Sequence, residues 1–123
     1  MNWPLIARLI HFSAMFTLGA LAVFHLMIAP AMFDELSGRL IWYIATDFGV
    51  MCLIFLNFVV RYVPPSESLP WLLCHTANGF GVALGVINLI AVPEPINIAV
   101  LAAYAVLAVG AYRPQDVVVS HPR

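Results

Sequence analysis

The sequence predicts an all-α integral membrane protein, a four-helix bundle of up-down-up-down topology with both termini in the cytoplasm. Three observations predict it. The first is composition: of 123 residues, 63% are hydrophobic and 9% charged, with five Arg, no Lys and six acidic residues. A soluble domain carries about a quarter charged residues to present a wetted surface, so this composition excludes a soluble enzyme, a nucleic-acid binder and a disordered chain. Mean hydropathy is +0.99 and the pI is near 6.4, which argues against a polybasic surface for phosphate or lipid headgroups. The second observation is that apolar runs of about 20 residues, enough to cross a hydrocarbon core about 30 Å thick, recur along the chain. The third is that prolines stand at their ends.

The first span is expected over residues 5–29, opened by Pro4 and closed by Pro30, because proline is tolerated in a first turn but removes a hydrogen bond from a helix interior. Its long apolar part, without a small-residue cleavage site, reads as a span rather than a signal peptide. The second covers residues 40–62, ahead of Pro64-Pro65, and the third residues 69–92, ahead of Pro93. The fourth, residues 96–112, is shorter and is followed by Pro114. β-Barrel strands would alternate in polarity over short segments, and no such pattern occurs. Connections of about ten, six and three residues suit antiparallel neighbours in a single membrane domain. The tail, residues 113–123, is expected to be a frayed terminus, with addition of a strand to a partner through Val117-Val118-Val119 as the alternative.

Arginine placement sets the direction. Arg8, Arg61, Arg113 and Arg123 fall on the side of the termini and only Arg39 on the other, so the positive-inside bias puts both termini in the cytoplasm of a bacterial inner membrane. Trp3, Tyr62, Trp71 and Tyr112 then mark the inner interface, and Trp42 and Tyr43 the outer one.

Polar side chains inside an apolar span are costly unless partnered, so each is a lead. Helix rise sorts them by depth into an inner layer of His11, His75 and Asn57 and an outer layer of His25, Asp47 and Asn88, with Asn78 also on the third helix. His11 and His25 differ by about 40° in direction and about 21 Å in height, on one stripe with Met15, Leu18 and Ala22. This spacing resembles that of the haem-bearing helices of membrane b-type cytochromes, a resemblance that implies at most one bis-histidine site here, His11 with His75, for haem b or a (bacterio)chlorophyll. Gly79, one turn from His75, would let a flat macrocycle approach. The competing reading is that these groups simply hydrogen-bond between helices and set the register of the bundle. Asp47 is the one carboxylate well inside an apolar run; beside His25 it would form a proton or cation site, the centre of a small ion or metabolite carrier, or else it is a partnered or protonated structural acid.

Packing signals are also present. Ala77, Gly81 and Gly85 repeat at four-residue intervals on the third helix, and Ala45 and Gly49 on the second, a spacing that lets helix backbones approach. They are expected to join the second and third helices, or to form a docking face. The fourth helix has almost nothing polar and is expected to offer Ala99, Ala102, Ala103 and Ala105 to lipid or to a partner. Cys52 and Cys74 lie about 8 Å apart in height, too far for a disulfide, and read as free buried thiols. No P-loop, HExxH, CxxC or nucleophile elbow occurs.

The segment LIHFSAMFTLGALAVFHLMIAPAMF, residues 9–33, resembles the opening helix of small uncharacterised four-span bacterial inner-membrane proteins. More loosely, it is similar to the first helix of copper-resistance membrane domains and of the membrane-type porphyrinogen oxidase. The resemblance covers about a fifth of the chain and implies a cofactor role for His11. The oxidase pattern includes an intramembrane Lys that this chain lacks. The function expected from these residues is a non-catalytic accessory or assembly subunit of a larger membrane complex, respiratory or photosynthetic. Its partners would be lipid and other transmembrane subunits or further copies of itself, without nucleic acid; the pigment and carrier readings stand beside it.

Overall fold

A computed structural model of the chain describes residues 3–33, 35–64 and 66–111. Among them are four α-helices: α1 (Trp3–Met32), α2 (Gly38–Val59), α3 (Ser68–Ala91) and α4 (Pro95–Ala111), with a single 3₁₀ turn, Val60–Tyr62, extending α2. Three of the helices are long and apolar enough to cross a membrane; α4, with 17 residues, is shorter and falls outside that group. Arg113, Arg123, Tyr112 and the tail at 113–123 lie outside the described residues.

Local chemistry explains most boundaries. Ser37 caps α2: its side chain accepts the Leu40 N–H at 3.2 Å and its carbonyl accepts the Ile41 N–H at 3.1 Å, satisfying donors that a helix start leaves open. The α3–α4 turn is held by Asn97, whose Nδ2 donates to the Val92 carbonyl at 2.7 Å, and by the Asn97 N–H on the Glu94 carbonyl at 3.0 Å. Pro30 does not end α1 where the sequence suggests. It brings no N–H to the Leu26 carbonyl, but the helix runs on to Met32 and the Phe33 N–H donates to the Ala29 carbonyl at 3.2 Å. One missing bond near a helix end is offset by the intact turn beyond it.

Contacts between helices fix the topology. Along α1 and α2, Phe12 meets Arg61, a Cβ at Gly19 would touch Ile54, and His25 meets Asp47, so one helix rises as the other descends. Asn78 meets Leu107, Gly81 meets Tyr104 and Gly85 meets Leu101, which makes α3 and α4 antiparallel too. His11 rests on Gly110, closing α4 back onto the start of α1. Each of α1 and α3 packs on both α2 and α4, so α1 and α3 occupy diagonal corners.

The main core lies between α1, α2 and α4, from Ala14, Met15, Leu18, Leu53, Ala103, Tyr104 and Leu107. A smaller cluster of Val60 and Cys74, covered by Trp71, closes the end near the termini. Outside, large apolar side chains stand free: Phe16 and Ile90 are each nearly four-fifths exposed.

The small-residue faces pack differently from the sequence expectation. Gly81 and Gly85 are buried, but chiefly against α4 rather than α2: a Cβ at Gly81 would lie 2.7 Å from Tyr104 Cδ1, and one at Gly85 3.3 Å from the Leu101 Cα. Ala77 is partly buried against the main core. Ala45 and Gly49 lie on an exposed face of α2, and a Cβ at Gly49 would meet nothing within 4 Å. Cys52 is exposed rather than buried, while Cys74 is buried; both are free.

Candidate functional site

Polar side chains gather in two places. In the half of the bundle near the termini, Asn57 of α2 and Asn78 of α3 face each other, each about 1% exposed. Asn57 Nδ2 donates to Asn78 Oδ1 at 2.6 Å, and Asn78 Nδ2 donates back to Asn57 Oδ1 at 3.0 Å. Asn57 Nδ2 also reaches the Leu53 carbonyl at 2.9 Å, and Asn78 Nδ2 reaches the Leu107 carbonyl at 3.2 Å and Cys74 Sγ at 3.7 Å. The network ties three helices together, and every amide group in it has a partner. Each amide nitrogen donates and each amide oxygen accepts within the protein, so the pair is internally satisfied.

The second place is in the half that carries the α1–α2 connection. There His25 Nδ1 lies 3.4 Å from Asp47 Oδ1. The Asp47 side chain is 6% exposed and that of His25 43%. Asp47 Oδ2 has no hydrogen-bond partner. The Tyr43 ring flanks His25 with centroids 5.3 Å apart, and its hydroxyl donates toward Met32 Sδ at 3.9 Å. Tyr104 of α4 lies within electrostatic range of the same carboxylate. The sequence placed His25 and Asp47 at one depth; the structure puts them in contact. It does not add Asn88, which is exposed on the outside of α3.

The other two histidines of the described residues have their own neighbours. The His11 ring is 4% exposed, pressed against Gly110 in the α1–α4 seam, with neither ring nitrogen hydrogen-bonded. The His75 ring lies near Trp71, one turn earlier on the same helix, with centroids 6.3 Å apart. Gly79 is exposed, with open space where a Cβ would stand. Nearby, the Arg61 guanidinium sits 4.5 Å from the centre of the Phe12 ring, a cation–π contact at the end of the bundle.

A third feature is an open groove of about 560 Å³ on the outer side of α1 and α4, lined by Leu9, Ile10, Ser13, Ala14 and Thr17 on one wall and Ala99, Ala102, Ala103 and Val106 on the other. Among the described residues neither the Ser13 nor the Thr17 hydroxyl has a hydrogen-bond partner.

Sequence reasoning missed Gly110 as the seat of His11, and it missed both tyrosines beside Asp47. Gly110 stands out only as a glycine in an alanine-rich helix, and Tyr104 only as the one aromatic within α4. Among described residues no cluster of three or more His, Cys, Asp or Glu side chains is placed to hold a metal ion. Comparison with known protein families, with curated proteins and with solved structures gives no match to this chain.

Proposed function

We propose that this chain is a non-catalytic accessory or assembly subunit embedded in a bacterial inner membrane, with both termini cytoplasmic, that docks into a larger complex through its transmembrane helices. The observation that carries the reading is the α1–α4 groove. Its alanines hold no bulk that would keep another backbone away, and close approach supplies the packing that drives helix association in lipid. Its two unpartnered hydroxyls sit at mid-helix, where hydrocarbon offers no hydrogen bond, and a partner helix does. A transmembrane helix of another subunit, with small residues along the contact and a polar side chain opposite Ser13 and Thr17, is the occupant that fits both features.

Insertion is supported by the distribution of side chains: Phe16, Met27, Phe55 and Ile90 point outward while Asn57 and Asn78 are sealed inside. That ordering is unfavourable in water and favourable in lipid. Arg8 and Arg61 near the termini, against Arg39 alone at the other end, support the orientation. Connections of a few residues leave no extramembrane domain among the described residues to bind a substrate.

The reading is tested by the native mass of the chain extracted in mild detergent. It is expected to migrate in an assembly much larger than its own 13.5 kDa, and an Ala102→Trp substitution, which fills the groove, is expected to release it. Migration as a monomer in every mild detergent overturns the proposal.

A further inference from the structure

We propose that His25 and Asp47 together form a proton-binding site, open on the imidazole side and closed on the carboxylate side. The inference rests on this pair alone and does not depend on the docking groove. A carboxylate in so dry a place needs a positive partner or a proton, since an isolated buried charge is far costlier than a neutral acid. The charged groups around it are few. On α1 the pair's own imidazole is the titratable group in this half, because Arg8 and His11 lie toward the opposite end. On α2 Tyr43 flanks the imidazole, and on α4 Tyr104 lies within electrostatic range of the carboxylate; a phenol is neutral at ordinary pH. On α3 the titratable side chains are Cys74 and His75, at the far end. Glu35, Arg39 and Glu94 belong to the connections and helix start at this end. His25 is the group in contact with the carboxylate, and it is a cation only when protonated.

The two groups differ in how far they are covered by the protein. The imidazole is almost half open, about 10 Å from the end of α1 by helix rise, whereas the carboxylate is closed off. A proton arriving at Nε2 gives an imidazolium paired with the carboxylate. Passage of the Nδ1 proton to Oδ1 then leaves a neutral imidazole and a carboxylic acid. Both forms hold one added proton and are net neutral, and no electrons move. Loss of that proton leaves a net negative pair whose Oδ2 has no donor, so the two residues titrate as one unit. The ligand is therefore a single proton.

The test is infrared spectroscopy of the full chain in lipid nanodiscs between about pH 4 and pH 9, alongside imidazole nitrogen NMR of the same samples. The carboxylic-acid stretch assigned by its loss in Asp47→Asn is expected to titrate with the same midpoint as the His25 resonance. His25→Gln is expected to move the midpoint of that stretch by at least tenfold in proton concentration. The NMR comparison uses the unmodified protein, so it holds even where a variant folds poorly. Independent midpoints for the two groups, a carboxyl stretch indifferent to His25→Gln, or a His25 resonance that does not titrate in this range would each overturn the proposal.

Discussion

The two polar centres of this bundle differ in how completely they are satisfied. The Asn57–Asn78 pair is sealed, reciprocal and extended to backbone carbonyls on two further turns, so its groups are all spent on one another. The His25–Asp47 pair is a single 3.4 Å contact with one carboxylate oxygen left over and an imidazole half in the open. The contrast teaches that depth alone does not assign a role to a membrane polar residue. Saturated groups hold the architecture together, and unsaturated ones retain capacity for something outside the protein.

If that contrast is right, breaking the saturated centre has the largest effect. Asn78→Leu strands Asn57 and is expected to cost about 2–3 kcal/mol of unfolding free energy in mixed micelles. The Asn57→Leu/Asn78→Leu double variant should cost less than the two single changes combined, by about 1–2 kcal/mol, because both partners are then removed together. Strict additivity would show that the pair is not coupled.

Close approaches between helices come next. Gly81→Ala is expected to cost about 1–3 kcal/mol through collision with the Tyr104 ring, and Gly110→Ala a similar amount through His11. The second cost should largely disappear in a His11→Ala background. Gly79→Ala and Gly49→Ala, which meet open space, should lie within about 0.5 kcal/mol of the parent protein by the same unfolding measurement. Equal costs at Gly49 and Gly81 would contradict the packing described.

Stability should respond least to the unsaturated centre. Asp47→Asn keeps one oxygen for His25 and adds no bulk, so it is expected to change unfolding free energy by no more than about 1 kcal/mol, while abolishing the coupled titration. A large loss of stability would move this pair into the architectural class. The pigment reading is checked by the visible absorption of the purified chain: a Soret band lost in both His11→Ala and His75→Ala would establish a shared macrocycle, and a colourless parent protein would dismiss it.

Much of the fold can be read from the prolines: Pro64, Pro93 and the Pro4 region bracket helices to within a few residues, since a missing N–H is a local and unambiguous stop. Pro30 is the exception, because a helix can carry one lost bond close to its end. Depth was also readable, since rise per residue is fixed, and it correctly brought His25 and Asp47 to one level. What the sequence does not disclose is which way each residue faces. In a soluble helix the polar stripe marks the outside, but here core and surroundings are both apolar, so periodicity leaves rotation about the helix axis open. Hence Asn88 and Cys52 turn outward, Ala45 and Gly49 lie on an exposed face, one of the two placements the spacing allowed, and the Gly81–Gly85 face meets α4 chiefly rather than α2.

The most direct test of the docking account is site-specific photo-crosslinking in native membranes, with the reactive group at Ala102 in the groove and, for comparison, at the exposed Phe55 on α2. Ala102 is predicted to give one discrete protein adduct that disappears when Ser13 and Thr17 are both replaced by Leu, while Phe55 gives lipid adducts. Lipid adducts alone from Ala102, or the same protein adduct from both positions, would contradict it.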